Sequence, residues 1–191
     1  MAGDVKTISK SRLWWFYFLK SISKNGGNMI LVLLGTQNNS FHRLIEEIEK
    51  NVEDGNIKEE VIIQAGHTKS ELRTQNEQIK LFETINPKQL DSLIERASLI
   101  ISHGGVGSMV TANQKGKKVI AVPRYKKYNE HVNDHQLQTI EMFARKGYVM
   151  PVKNVQDLGQ ALKDVKYFEP TKYDKNNASN IINIIEKFIE K

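Results

Sequence analysis

Leu99-Ile-Ile-Ser-His-Gly-Gly-Val-Gly-Ser-Met109 decides how this chain is read. Leu99 to Ile101 is a short apolar run of strand character. It ends in a turn carrying Gly104, Gly105 and Gly107, and a helix-compatible run follows from Ser108. A strand, a glycine-rich turn and a helix in that order bring bare backbone N–H groups and a helix N-terminus against one anion. Ser108 can cap the helix or donate its hydroxyl to a phosphate oxygen. The plainer alternative is a tight strand-to-helix turn whose glycines only permit positive φ and close packing. A P-loop needs Lys-Ser/Thr after its last glycine, where this chain has Ser108-Met109. A dinucleotide-binding loop needs a third glycine where Val110 stands, and an acidic ribose ligand about 20 residues later, which is not evident. ATPase and NAD-dependent dehydrogenase are disfavoured by what is missing.

Outward from this loop, strand-like and helix-like runs alternate. Residues 30–34 are an unbroken apolar run followed by Gly35-Thr36-Gln37, and a helix with Phe41, Leu44, Ile45 and Ile48 at helical spacing comes next. Residues 61–64 form the next strand, closed by Ala65-Gly66-His67-Thr68; residues 79–83 form a short one. Asn86-Pro87 starts a helix that runs to Ala97, with a cap and a proline in place. The glycine-loop helix stops at Gly116, residues 119–122 are a buried strand ended by Pro123, and a helix covers about 132–146. A last strand over 148–152 and helices near 155–165 and 175–190 complete the series. Short continuous apolar strands separated by helices predict an α/β fold: one Rossmann-like domain with a parallel sheet covered on both faces. Ligands then bind beyond the carboxyl ends of the strands, so the loops at Gly35, Gly66, His103 and Pro123 should open on one edge.

At 191 residues with 39% hydrophobic content, the chain suits one domain with an appendage. It has no cysteine, which excludes disulfides and thiolate metal sites and fits a cytosolic setting. Of the net charge of +6, residues 1–28 carry +4, so no nucleic-acid face is indicated on the globular part. Those 28 residues read as a separate unit. Leu13-Trp14-Trp15-Phe16-Tyr17-Phe18-Leu19 holds both tryptophans and is flanked by Lys10, Arg12, Lys20 and Lys24. Seven such residues are too few to span a bilayer, which takes about 20. As an amphipathic helix, rings with a basic fringe suit a membrane–water interface; docking into a protein groove is the alternative. Asn25-Gly-Gly-Asn28 is then a linker, and the domain proper is 29–191.

Three stretches in order, Ser102-His-Gly-Gly-Val-Gly-Ser108, Gly116-Lys-Lys-Val-Ile-Ala-Val-Pro-Arg124 and Glu130-His-Val-Asn-Asp-His-Gln136, closely resemble the C-terminal domain of glycosyltransferase family 28. The nearer likeness is to the PssE/EpsF-like donor-binding subunits of two-component bacterial enzymes, and to the eukaryotic dolichol-linked GlcNAc transferase subunit that these resemble. The likeness spans about Met29 to Val165. It implies half of a GT-B fold, an inverting transfer without metal or other cofactor, and a UDP-sugar donor. It also implies a lipid-diphosphate-linked acceptor at the inner face of the cell membrane, where the protein would be cytoplasmic and peripheral, in exopolysaccharide or capsule synthesis.

The resemblance assigns donor contacts to Gly35, Thr36 and Gln37 in the first loop, and to Gln64 and Gly66 in the second. It assigns uracil reading to the strand end at Phe82-Glu83. His103, Gly104, Gly105, Gly107 and Ser108 would hold the diphosphate, whose developing charge backbone dipoles can stabilise. Asp134, His135 and Gln136, with His131 before them, would reach the sugar or ribose; helix capping is the plainer alternative for this trio. Relatives often carry Glu where this chain has Thr111, and one hydroxyl cannot bind a ribose diol as a carboxylate does. A side chain at Gly105 should block the diphosphate and leave the core intact. Arg124, Lys126 and Lys127 read as a basic loop able to touch lipid diphosphate, or as a solvated lysine loop. The general base is expected on a PssD/EpsE-like, membrane-associated acceptor-binding subunit, with His103 the weaker candidate on this chain. A UDP-sugar epimerase, needing both halves in one chain, and a non-catalytic nucleotide-sugar-binding or scaffold module are the rivals.

Overall fold

The computed structural model describes residues 28–66, 68 and 76–173. The aromatic segment 13–19, the expected helix at 175–190 and His67 lie outside the described residues. Six parallel strands make one sheet: β1 (Met29–Leu33), β2 (Glu60–Gln64), β3 (Ile79–Phe82), β4 (Leu99–Ser102), β5 (Lys118–Ala121) and β6 (Met150–Pro151). Their spatial order is β3-β2-β1-β4-β5-β6, with Leu33 opposite both Gln64 and Ser102. The helices are α1 (His42–Glu53), α2 (Pro87–Arg96), α3 (Val106–Gln114), α4 (His135–Arg145) and α5 (Leu158–Asp164). The parallel α/β architecture expected from the apolar runs is therefore present, and no described helix is long and apolar enough to cross a membrane.

Alternation along β1 builds both layers. Ile30 and Val32, with Leu34 beyond the strand, face Leu44, Ile45 and Ile48 of α1 and Leu158 and Ala161 of α5. Met29, Leu31 and Leu33 face Leu93 and Ile94 of α2, Met109 and Ala112 of α3, and Ile140 and Phe143 of α4. All of β1 is buried, which is why its sequence carries no polar alternation. Each such side chain contributes about 1.5–3 kcal/mol by leaving water. At α2, Asn86 accepts from the Gln89 N–H at 3.0 Å while the Gln89 side chain accepts from the Asn86 N–H at 3.4 Å, the reciprocal cap that Asn86-Pro87 suggests.

The helix after the glycine loop starts earlier than its sequence suggests. α3 begins at Val106 with Gly105 as its N-cap residue. Gly107 and Ser108 therefore lie inside the first turn, and Ser108 is not the cap. Since all strands run the same way, the loops after Leu33, Gln64, Ser102 and Ala121 leave the sheet on one edge, as expected.

Candidate functional site

β1 and β4 are neighbours, yet β1 leads to α1 on one face and β4 leads to α3 on the other. Their loops diverge and leave a crevice, the place where open α/β sheets bind ligands. A cleft of about 360 Å³ sits there. One side is Gly35, Thr36 and Gln37, and the other is His103, Gly105, Gly107 and Ser108. Its volume falls in the range of small-molecule sites, about 300–1,000 Å³. The N–H groups in the first turn of α3 have no partner within the helix, and the positive end of its dipole lies at the same place.

His103 is held rigidly at the floor. Its backbone N–H donates to the Leu33 carbonyl at 3.0 Å, and its Nδ1 lies 3.0 Å from the same oxygen. A carbonyl can only accept, so Nδ1 carries the hydrogen and Nε2 presents a lone pair. A Cβ built on Gly35 or on Gly105 would fall 2.6 Å from that Nε2, so two glycines make room for one imidazole. Burial lowers the His103 pKa to about 4; the Leu33 bond opposes this, and the positive charge of Arg124 and then His131 add to it. The ring is neutral near pH 7. A side chain at Gly105 would not act on the ligand alone, because its Cβ would fall against the buried His103 ring, which would have to shift.

Gln64 is buried and donates to the carbonyls of Gly35 at 3.1 Å and Glu83 at 3.3 Å, bracing the first loop against the third strand. Gly66 adopts φ +60, and a Cβ there would lie 2.1 Å from the Gly35 oxygen. It allows the two loops to touch and does not line the cleft. Gly104 has φ +89 and makes room for Ile140, with a Cβ falling 2.5 Å from that side chain. It too is packing rather than lining. Gly107, by contrast, has nothing within 4 Å of a built Cβ and faces the cleft.

Phe82 packs against the α2 side of the core. Its carbonyl accepts from Ala65 N–H at 2.7 Å, and that of Glu83 accepts from Gly66 N–H at 2.8 Å. The cleft wall is formed one step further along, by Thr84, Ile85 and Leu90, which sequence reading missed. Ile85 and Leu90 look like ordinary core positions beside α2. The available signal was that Thr84-Ile85 ends on the same sheet edge as the glycine loop. Thr111 is half-buried one turn beyond Ser108 and does not line the cleft.

The third stretch, together with Arg124 at the end of the second, serves for fastening. Asp134 accepts from the Lys126 N–H at 2.9 Å and makes no cap bond to α4. Gln136 accepts from the Arg124 N–H at 3.1 Å. The His135 backbone N–H donates to Asn133, and His131 lies 2.9 Å from the Gln37 amide nitrogen. None of Asp134, His135, Gln136 or His131 lines the cleft; His131 reaches it only through Gln37. Glu130 takes Arg43 on both oxygens, at 2.9 and 2.8 Å, and Tyr125 N–H at 3.0 Å. Asn39 reaches the Asn129 carbonyl at 2.8 Å, where Asn129 adopts φ 56, a left-handed conformation that asparagine tolerates. Arg124 is fully buried and donates to the carbonyls of Leu34, Asn39 and Glu130 at 2.7, 2.6 and 3.2 Å. Its reading as a lipid-facing cation is thereby overturned, whereas Lys126 and Lys127 remain exposed. Among the described residues, no three His, Asp or Glu side chains gather as metal ligands do.

Comparison with known proteins bears on this arrangement. The chain is similar over 74% of its length to MurG of Acinetobacter baumannii (15% identity, TM-score 0.53) and over 72% to CalG4, the calicheamicin glycosyltransferase (16% identity, TM-score 0.56). It is similar over 96% of its length to a UDP-GlcNAc 2-epimerase from Neisseria meningitidis (14% identity, TM-score 0.60). It spans 42%, 34% and 49% of those chains, less than half of each. At such identities the likeness is one of fold. No match was found among curated protein sequences. The model of the glycosyltransferase family 28 C-terminal domain matches residues 29–190, so the chain belongs to that family.

Proposed function

We propose that this chain is the donor-binding half of an inverting, metal-independent UDP-sugar glycosyltransferase. The acceptor is a lipid-diphosphate-linked sugar in polysaccharide synthesis. The observation that carries the reading is the bare first turn of α3, with Gly105 and Gly107 and the His103 Nε2 facing one cleft at the β1–β4 divergence. Unpaired N–H groups and a helix dipole stabilise the charge that grows on a departing diphosphate. The Thr84-Ile85-Leu90 wall supplies the apolar surface that a nucleobase needs. Among the described residues that line the cleft, His103 is the one side chain that could act as a base, and with a pKa near 4 it is too weak to take the acceptor proton. On this reading the base and the acceptor site belong to a membrane-associated partner resembling PssD/EpsE. Residues 13–19 would hold the protein at the inner face of the membrane. This reading predicts that the full chain sediments with anionic liposomes and that a Met29-start version does not.

Titration calorimetry of UDP into the full chain with EDTA present tests the donor reading. Binding without metal is expected. Binding that requires Mg²⁺ or Mn²⁺ contradicts metal independence, and no binding by a folded chain contradicts the donor site. Thr111, standing where relatives carry a ribose-binding Glu, favours a second reading as a non-catalytic nucleotide-sugar-binding module. Sugar transfer in the presence of the partner subunit decides between the two.

A further inference from the structure

The buried charges behind the cleft do not balance. Two guanidinium groups, Arg43 and Arg124, share one carboxylate, Glu130. Arg43 takes both Glu130 oxygens, and the Tyr125 N–H takes a further position on one of them. Arg124 is left with three neutral carbonyls, the face of the Phe41 ring 4.8 Å away and an Nε that has no hydrogen-bond partner. Two of those carbonyls, Leu34 and Asn39, bracket the segment Gly35–Gln37 that lines the cleft. The Leu33 carbonyl just before them holds His103, whose proton affinity Arg124 depresses through space. The other ionised groups on the same loop, Lys126, Lys127 and Asp134, are exposed and screened by water.

A fully buried cation with no carboxylate of its own costs several kcal/mol of desolvation, which a purely structural fastening would not require. A polar neutral side chain could bond the same carbonyls. We propose that Arg124 is a positioning and electrostatic residue of the donor site: a fixed positive charge beneath the 34–39 loop that favours an anion in the cleft without touching it. It rests on the reading of the cleft as a diphosphate site. The anion would be the diphosphate of the donor, and the attraction grows as charge gathers on the leaving group. Burial lowers the Arg124 pKa only to about 10, so the charge persists at neutral pH.

The test is a ligand-charge series. Uridine, UMP and UDP are titrated into the full chain, with Arg124→Gln and Arg124→Lys beside the wild type and folding checked by thermal melting. Arg124→Gln should weaken UDP about tenfold or more, UMP by less, and uridine by less than about twofold, because a Coulomb term scales with ligand charge. Arg124→Lys, which keeps the charge, should restore most of the UDP affinity. Equal loss for all three ligands, or no loss for any, overturns the proposal and leaves Arg124 a structural strap. If Arg124→Gln does not fold, Glu130→Gln replaces it, read as the ratio of UDP to uridine affinity so that any loosening of the loop affects both alike: removing the carboxylate should raise that ratio, and an unchanged or lower ratio overturns the proposal. A folded wild type that binds none of the three ligands overturns the donor reading itself.

Discussion

The loops that leave β4 and β5 start from neighbouring strands, open on the same edge and use their polar groups in opposite ways. After β4, the groups that matter are bare backbone and one nitrogen of His103, all turned toward a cleft. After β5, Glu130, Asp134 and Gln136 are bound back onto the protein itself, to Arg43, Tyr125, Lys126 and Arg124. Both stretches carry the family resemblance equally. One acts by leaving backbone uncovered, the other by covering backbone and tying the 35–40 loop to the 123–136 loop. Recurrence of a motif therefore does not say whether its residues touch ligand.

The largest effect should come from cutting the second loop. Glu130→Ala leaves Arg43, whose side chain is only 17% exposed, without its carboxylate. Breaking a buried pair on one side costs about 3–5 kcal/mol. A fall in melting temperature on the order of 10 °C is expected. A fall of a degree or two would show that this loop is solvated and that its bonds fasten nothing.

His103 comes next. Its folded pKa of about 4 lies below its ordinary 6.5, so below pH 6.5 the unfolded chain binds a proton that the native state refuses. Stability is whole above pH 6.5 and falls as pH drops toward 4, by about 3 kcal/mol in all. Urea unfolding at pH 7 and pH 4.5 measures the loss, and His103→Gln should remove most of it. The same acid sensitivity in His103→Gln would place the titrating group elsewhere.

A smaller effect is expected at Gly105 of the glycine loop. Gly105→Ala drives a Cβ to 2.6 Å from the His103 Nε2, while that ring is pinned by Leu33. Overpacking of this kind costs about 1–3 kcal/mol. Stability unchanged by this substitution would show that the imidazole is loosely held.

The strands were legible because each is a continuous apolar run, and the sheet edge followed from their alternation with helices. The cleft was half legible. Gly35, Thr36, Gln37, Gln64, His103, Gly105, Gly107 and Ser108 all line it. Its far wall was not, since Ile85 and Leu90 have the spacing of any helix-facing residue and only the fold turns them toward the edge. Gly66 and Gly104 were noticed as glycines, but their physical reason is a remote atom, the Gly35 oxygen and the Ile140 side chain, that no local pattern reveals. Arg124 sits in a run of lysines and tyrosines that is mostly exposed, and the carbonyls that draw it inward come from residues 34 and 39, far away in sequence. Long-range contacts of that kind are fixed by topology, not by neighbours in the chain.

The central claim is that the first turn of α3 receives the donor diphosphate on uncovered backbone. Gly107→Val tests it most directly, because Gly107 lines the cleft and a Cβ there meets open space rather than a neighbouring element. Calorimetry with UDP should show affinity reduced at least about tenfold, or about 1.4 kcal/mol, in a protein that melts as the wild type does. Undiminished UDP affinity in that folded variant would contradict the account, and would make the glycine loop a device of chain packing alone.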